Sequence, residues 1–405
     1  MRIKLLLAGL LTGIVFTAAG CGQAEEPAGP DLTLALRSGT YAEVIKSCLP
    51  AFEEEHKVTV EVLEFTEEDL RRNLMADASN PDGEGKYDLC MVDGSWMADF
   101  VEGDVLTSLT GLGYSLDSDI IPATTAICYR DGETYVAPYY GNVTVLLFNR
   151  SFLAEAGYTA DRLQSMEDLK VICDCAKEKG QDGFLYRGDT ENNLVVDFLP
   201  FLLAYGGWVV DGYNHPTIDT PEFRDAFSFY MELIGTGEAM EKDALVQAID
   251  GGSAAAGIGW PGWYTPTGDS NADYCAIPGK ASADSPSYNT NVYGIWTIGI
   301  PQSSGKKELA CKLLSHLMDP QVQKSTVELG GVPCRYSCLQ DPLLLSQHPH
   351  YAAICDALEN GTYRPIMTDW ITFYTILGEQ LQRILDGEVT LEEGLYSAQL
   401  RLNVL

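Results

Sequence analysis

Thr134-Tyr135-Val136-Ala137-Pro138-Tyr139-Tyr140-Gly141-Asn142-Val143-Thr144-Val145-Leu146-Leu147-Phe148-Asn149 is the stretch whose reading decides the fold. Val143 to Phe148 is a continuous apolar run with β-branched residues, of the kind buried on both faces of a sheet. Just before it, Pro138 to Asn142 combines a rigid residue, two aromatics and a permissive glycine. Together they read as a strand that changes lobes, entered through a hinge lined with ligand contacts. For this stretch alone the alternative is a Pro-kinked edge strand with surface tyrosines.

On the N-terminal side, Leu32 to Leu36 reads as a first strand that stops at Arg37-Ser38-Gly39-Thr40. Tyr41, Val44, Ile45, Cys48, Leu49 and Phe52 then recur at helical spacing. Val58 to Phe65 is a second strand, and Thr66 with Asp69 starts a helix as a capping box. Tyr87 to Val92 is a third strand, ending at Asp93-Gly94-Ser95-Trp96. Strands alternating with helices predict a parallel sheet with ligand loops at the carboxyl ends of its strands.

On the C-terminal side, Ser165 and Asp168 cap one helix, Asn193 to Tyr205 forms a second and Thr220-Pro221 starts a third. Ala254 to Gly259 reads as a buried strand that delivers Trp260-Pro261-Gly262-Trp263-Tyr264, and residues 265–290 as a polar loop. Val292 to Ile300 is the next strand and Lys306 to Met318 an amphipathic helix. Residues 372–405 form two helices broken at Asp386-Gly387 and restarted by a Thr390/Glu393 capping box.

Arg2 and Lys4 precede an apolar run from Leu5 to Ala19, short for a membrane span and right for a secretory signal. Ala18, Ala19 and Gly20 lead into Cys21, a pattern that resembles a bacterial lipoprotein signal with Ala18 where leucine is usual. It implies cleavage before Cys21 and lipidation of that cysteine; the alternative is a plain secretory signal. Residues 21–30 read as a flexible tether. The body is therefore expected outside the cytoplasm, anchored to the cell membrane.

The chain has 405 residues, 46% hydrophobic, more than one core usually serves, so two lobes are expected. With 58 Asp and Glu against 26 Lys and Arg, a formal charge of -32 excludes nucleic acid as a partner, since phosphate binding needs clustered cations. It also disfavours docking on anionic lipid. Eleven cysteines in an exported chain would ordinarily mean disulfides. Here Cys173 and Cys175 point to different faces of one helix, and Cys90 and Cys128 lie in apolar runs where a thiol packs as a small hydrophobe. Free thiols are the expectation, and with them an oxygen-free habitat. Cys334 and Cys338 are the pair most able to meet or to bridge elsewhere. No Cys-x-x-Cys occurs, and His348-Pro349-His350 reads as loop, so neither metal nor other cofactor is expected.

Several stretches together resemble the family 1 extracellular solute-binding proteins, the carbohydrate receptors of ABC importers. They are Tyr87 to Val92 followed by Trp96; Tyr135-Val136-Ala137-Pro138 with Leu147-Phe148-Asn149; Gly259-Trp260-Pro261-Gly262-Trp263; Gly294 to Pro301; Gly330-Gly331-Val332-Pro333-Cys334-Arg335; and Leu385-Asp386-Gly387. The tryptophan before Pro261 and the high cysteine count depart from the pattern. The resemblance implies an α/β fold of the periplasmic-binding-protein type II, two lobes joined by two or three crossing segments with ligand caught between them. Residues 31–139 and 298–336 would form the N-terminal lobe, and 140–297 with 337–405 the C-terminal lobe. The expected product is a non-enzymatic, monomeric receptor that hands a mono- or oligosaccharide to a membrane permease. The alternatives are a receptor for another solute such as a polyamine, or an exported carbohydrate-active enzyme; no nucleophile elbow, zinc-protease helix or phosphate loop is present.

Sugars present apolar C–H faces and polar rims, so their receptors need aromatic platforms beside carboxylates, amides and arginines. Trp96, Tyr140, Trp260, Trp263 and Tyr374 are the candidate platforms, and Trp208 and Trp296 are read as packing. Arg37, Ser38, Asp93, Asn142, Asp197 and Arg335 are the candidate polar contacts. Each has a structural alternative: core packing for the tryptophans, a surface ion pair for Arg335 and a helix cap for Asp93.

Overall fold

The computed structural model describes residues 29–80, 85–279 and 290–405. The signal segment, Cys21, most of the tether and part of the 265–290 loop lie outside the described residues. Two sheets organise the rest. Strands β1 (Leu32–Arg37), β2 (Val60–Phe65) and β3 (Leu89–Asp93) run parallel. Strands β4 (Val136–Tyr140) and β5 (Val145–Asn149) follow, then β6 (Asp182–Leu185), β7 (Ala254–Gly259), β8 (Ala272–Cys275) and β9 (Trp296–Gly299). The first sheet has the order β2-β1-β3-β9-β4, and the second β8-β5-β7-β6. The switch of sheets therefore falls between Tyr140 and Val145, within the stretch that opened the reading.

Local chemistry accounts for most elements. Helix α1 (Thr40–His56) buries Val44, Ile45, Cys48, Leu49 and Phe52 on the spacing that predicts it, and a left-handed Lys57 ends it. Burial of each large side chain contributes roughly 1.5–3 kcal/mol. Helix α2 (Glu67–Ala78) starts where Thr66 accepts from Asp69 N, a one-way cap rather than the expected box. Helices α3 (Met166–Glu178), α4 (Glu191–Ala204) and α5 (Pro221–Ile234) cover the second sheet, α3 with a complete Ser165/Asp168 box. Helices α6 (Lys307–Leu317), α7 (Tyr351–Asn360), α8 (Trp370–Leu385) and α9 (Leu391–Leu402) complete the body, with Gly387 at positive φ between the last two.

The structure departs from the sequence expectation at two places. Residues 265–290 are not all loop: Ala272–Cys275 pairs antiparallel with β5, steadied by Arg150 on Asp273 at 2.8 Å and by Tyr274 donating to Trp260 O at 3.1 Å. Residues 292–300 form two strands, because Val292 and Tyr293 pair with Thr362 and Tyr363 before β9 joins the first sheet. In addition, Ile354, Cys355 and Leu358 of α7 sit in a core cluster that joins the first sheet to Val145, Leu147 and Ala272 of the second, whereas Trp370, Phe373 and Leu377 sit in the other cluster. Tyr351, which opens α7, donates to Gly331 O at 2.6 Å.

Three segments cross between the sheets and bond to one another in series. Gly294 N donates to Asn142 O, Thr144 N to Val292 O, and Thr362 N to Asn291 O, all at 2.8–2.9 Å. Gly141 is not at positive φ. A Cβ there would lie 2.8 Å from Leu358 Cδ1 and 3.1 Å from Val332 O, so this glycine serves close approach rather than conformational freedom.

Candidate functional site

A cleft of about 960 Å³ opens between the two sheets, at the carboxyl ends of β1 and β3 and beside the crossing segments. Four of the chain's six tryptophans line it: Trp96, Trp260, Trp263 and Trp296, with Tyr41 and Tyr374. Trp96 and Trp296 meet edge to face at 5.4 Å, and Tyr41 leans on Trp296 at 5.5 Å, which fixes an aromatic floor on the first sheet's side. Trp260 and Trp263 follow the end of β7 on the other side. A Cβ on Gly294 would lie 2.7 Å from the Trp260 ring, so a crossing segment passes directly beneath that indole.

Charge is concentrated here. Among the described residues, Arg37, Arg71, Arg72, Arg187, Lys242 and Arg364 line the cleft, facing Glu67, Glu68, Asp93, Asp189 and Glu191. Arg187, just beyond β6, forks onto buried Asp197 at 2.5 and 3.0 Å, donates to Asn193 at 2.8 Å, and holds its guanidinium 4.9 Å from the Trp263 ring centre. Burial pushes the Asp197 carboxyl up, and Arg187 pulls it back. Arg364, in the third crossing segment, donates to Asp93 at 2.7 Å; the same carboxylate receives Ser95 N and Oγ. Arg71 is paired with Asp99 at 2.7 Å, and Arg72 with Glu68 and Asp69.

Glu67, at the first turn of α2, has a carboxyl pushed above its usual range by burial and next by Asp93, against the pull of Arg364, Arg37 and Arg187. Burial likewise raises Tyr374 to about 12, so its hydroxyl stays protonated and can donate. Asn142 is buried beside the cleft, and its Oδ1 finds no partner among the described residues, which leaves an acceptor at the hinge. Aromatic faces beside donors and acceptors of both signs can hold a small polar molecule with apolar C–H faces. Among the described residues no group of three His, Cys, Asp or Glu is placed to hold a metal ion.

Of the residues singled out in the sequence, Arg37, Asp93, Trp96, Asn142, Trp260, Trp263 and Tyr374 come together in this cleft. Four others stand elsewhere. Tyr140 is buried edge-on to Tyr41 at 4.8 Å and donates to Gly330 O at 2.6 Å, packed against Gly262. Asp197 stands behind Arg187, and Ser38 accepts from Arg37 at 3.0 Å while its N–H donates to Phe65 O at 2.9 Å. Arg335 is buried in the first lobe, on Gln323 at 2.6 Å, Asp117 at 2.8 Å, Asp119 at 3.2 Å and the Met318 carbonyl. Trp296, read as packing, reaches the cleft; Trp208 is partly buried against the second core. Tyr41, Glu67, Arg187 and Arg364 also line the cleft, with no motif in the sequence that marks them. Arg187 matches Arg37 in its place, Arg37 being the last residue of β1 and Arg187 lying two residues past β6.

Two α/β sheets with a cleft between them and three crossing segments define a two-lobed binding protein. The family of bacterial extracellular solute-binding proteins matches residues 49–353, and the chain belongs to it. It resembles a probable amino-acid ABC transporter periplasmic-binding protein of Sinorhizobium fredii, at 24% identity over 56% of this chain and 54% of the relative. The match thus spans about half the length of that relative. In fold it is similar to maltose-bound MalE3 of T. maritima (TM-score 0.78, 22% identity, 92% of this chain and 99% of that one). It is also similar to a solute-binding protein of Thermotoga lettingae bound with α-D-tagatose (TM-score 0.78, 24% identity, 92% and 98%). A third likeness is to one of Agrobacterium vitis with bound D-mannitol (TM-score 0.75, 18% identity, 92% and 98%). The fold class is therefore the type II periplasmic-binding-protein fold expected from the sequence. Among the described residues no helix is long and apolar enough to cross a membrane.

Proposed function

We propose that this protein is the extracytoplasmic receptor of an ABC importer, capturing a mono- or oligosaccharide in the interlobe cleft and passing it to a membrane permease. The observation that carries the reading is the convergence of Trp96, Trp260, Trp263 and Trp296 on a cleft that also holds Arg37, Glu67, Asp93 and Asn142. A hexose of about twelve heavy atoms held at micromolar affinity needs about 8 kcal/mol, or roughly 0.7 kcal/mol per atom, which demands contact on nearly every side. Two lobes closing on it supply that enclosure. Arg37, Asp93, Trp96, Asn142, Trp260, Trp263 and Tyr374 are the ligand contacts in this reading, joined by Arg187 and Arg364. It is a monomer without catalytic residues, held at the membrane by lipid on Cys21, so Cys21→Ala releases an intact body.

The named function of the Sinorhizobium fredii relative favours a second reading, an amino-acid ligand. A thermal-shift screen of the purified full chain against saccharides, amino acids and polyamines decides between them. A ligand at a hundredfold its dissociation constant stabilises by about 2.7 kcal/mol, which raises the melting temperature visibly. Stabilisation by amino acids or polyamines and by no saccharide overturns the carbohydrate reading, and turnover of chromogenic glycosides overturns the receptor reading.

A further inference from the structure

From the placement of Arg37 and the charge that lines the cleft, we infer that the ligand is an acidic carbohydrate whose carboxylate seats on the Arg37 guanidinium. This inference rests on the carbohydrate reading above. The chain as a whole is strongly acidic, at -32, with 58 acids against 26 bases. The cleft reverses that balance: six bases and five acids line it, close to a quarter of all the bases but under a tenth of all the acids. An acidic shell repels anions at long range, so an anionic ligand has to be held by direct contact with a base inside the cleft.

The lining bases are not equivalent. Arg71, Arg72, Arg187 and Arg364 each have a carboxylate within 4 Å, and Lys242 has Asp243 at 3.4 Å. Arg37 is half-buried at the end of β1 and, among the described residues, forms no ion pair; the Ser38 hydroxyl at 3.0 Å accepts its one hydrogen bond. With no carboxylate of the described residues within 4 Å, the Arg37 fork is open to one, and its planar geometry fits a carboxylate with two parallel bonds. Its neighbours suit a pyranose ring: Tyr41 opens the next helix, and Trp96 and Trp296 lie beside it at the end of the first sheet.

Calorimetric titration of the purified full chain with glucuronate, galacturonate and their short oligomers, each beside its neutral counterpart and a hexose phosphate, tests the inference. The expected result is binding of an acidic member at least tenfold tighter than its neutral counterpart, weakening as salt is raised. Arg37→Gln then lowers that affinity roughly tenfold to a hundredfold and removes the preference, while the melting temperature without ligand stays close to wild type. Arg37→Lys, which keeps the charge but not the fork, falls between the two. Equal or tighter binding of a neutral sugar or a hexose phosphate overturns the inference and leaves the carbohydrate reading standing. An acidic sugar bound equally by wild type and Arg37→Gln also overturns it. Binding of no saccharide of any kind overturns both.

Discussion

Arg364 places its guanidinium 2.7 Å from the Asp93 carboxylate, and both side chains are buried. One belongs to the last crossing segment and the other to the end of β3, so a single ion pair ties the hinge to the cleft floor. Removing one partner of such a pair leaves a charge in a poorly solvated place and costs about 3–5 kcal/mol. Arg364→Met is expected to lose about that much in urea unfolding at neutral pH, and Asp93→Asn added to it costs less than the sum of the two. An unfolding midpoint equal to wild type would sink this account of the pair.

The two aromatics Trp263 and Tyr140 are expected to separate binding from stability. Trp263 lines the cleft under Arg187, so Trp263→Ala removes a stacking face and lowers sugar affinity by about 1–3 kcal/mol, on the scale known for bases on aromatic rings. Tyr140 offers the cleft no face; Tyr140→Phe loses only the bond to Gly330 O, about 1 kcal/mol of stability, with affinity unchanged. Calorimetry and urea unfolding of both variants check the contrast, and a Tyr140→Phe variant that binds tenfold more weakly would refute it.

Gly141 gives a third test. A methyl group there meets Leu358 and the Val332 carbonyl, which receives Gly141 N at 2.6 Å. Gly141→Ala is expected to cost about 1–3 kcal/mol through this overpacking, rather than to stabilise by stiffening a free hinge. A rise in melting temperature would show that the crossing is loose at this point.

The alternation of strand and helix was legible because its signals are local: the Ser165/Asp168 box, the Thr220-Pro221 start and the apolar spacing of α1 each act within a turn or two. The aromatic part of the cleft was legible too, since Trp96, Trp260 and Trp263 directly follow strands. What escaped depends on partners far apart in the chain. Arg364 sits in a stretch without motif and reaches the cleft because Val292 and Tyr293 pair with Thr362 and Tyr363. Arg335 follows a conspicuous turn but is claimed by Asp117 and Asp119, some 216 residues before it. Asp197 looked like a free carboxylate on a helix, and nothing within a turn of it announces Arg187. The strand at Ala272–Cys275 was hidden because its pairing with β5 is long-range and its flanks are rich in turn residues.

The last prediction concerns acid. His350 is buried against the Tyr351 and Tyr274 rings, and its Nδ1 has no partner among the described residues. Burial lowers its pKa from 6.5 to about 4; His348 adds to the fall and Asp273 opposes it. The unfolded chain therefore binds a proton at this residue between about pH 6.5 and 4 that the folded chain refuses. Stability from this group is present above 6.5, falls as pH drops through that window, and falls no further below about 4, by about 3 kcal/mol at most. Replacing His350 with Gln removes the titration, so the fall in stability across this window becomes shallower while the losses from carboxylates remain. Urea unfolding of both proteins at several pH values reads the difference directly. If the two curves keep a constant separation from neutral pH to 4, the ring is protonated in the folded chain as easily as in the unfolded one, and its burial has no bearing on acid stability.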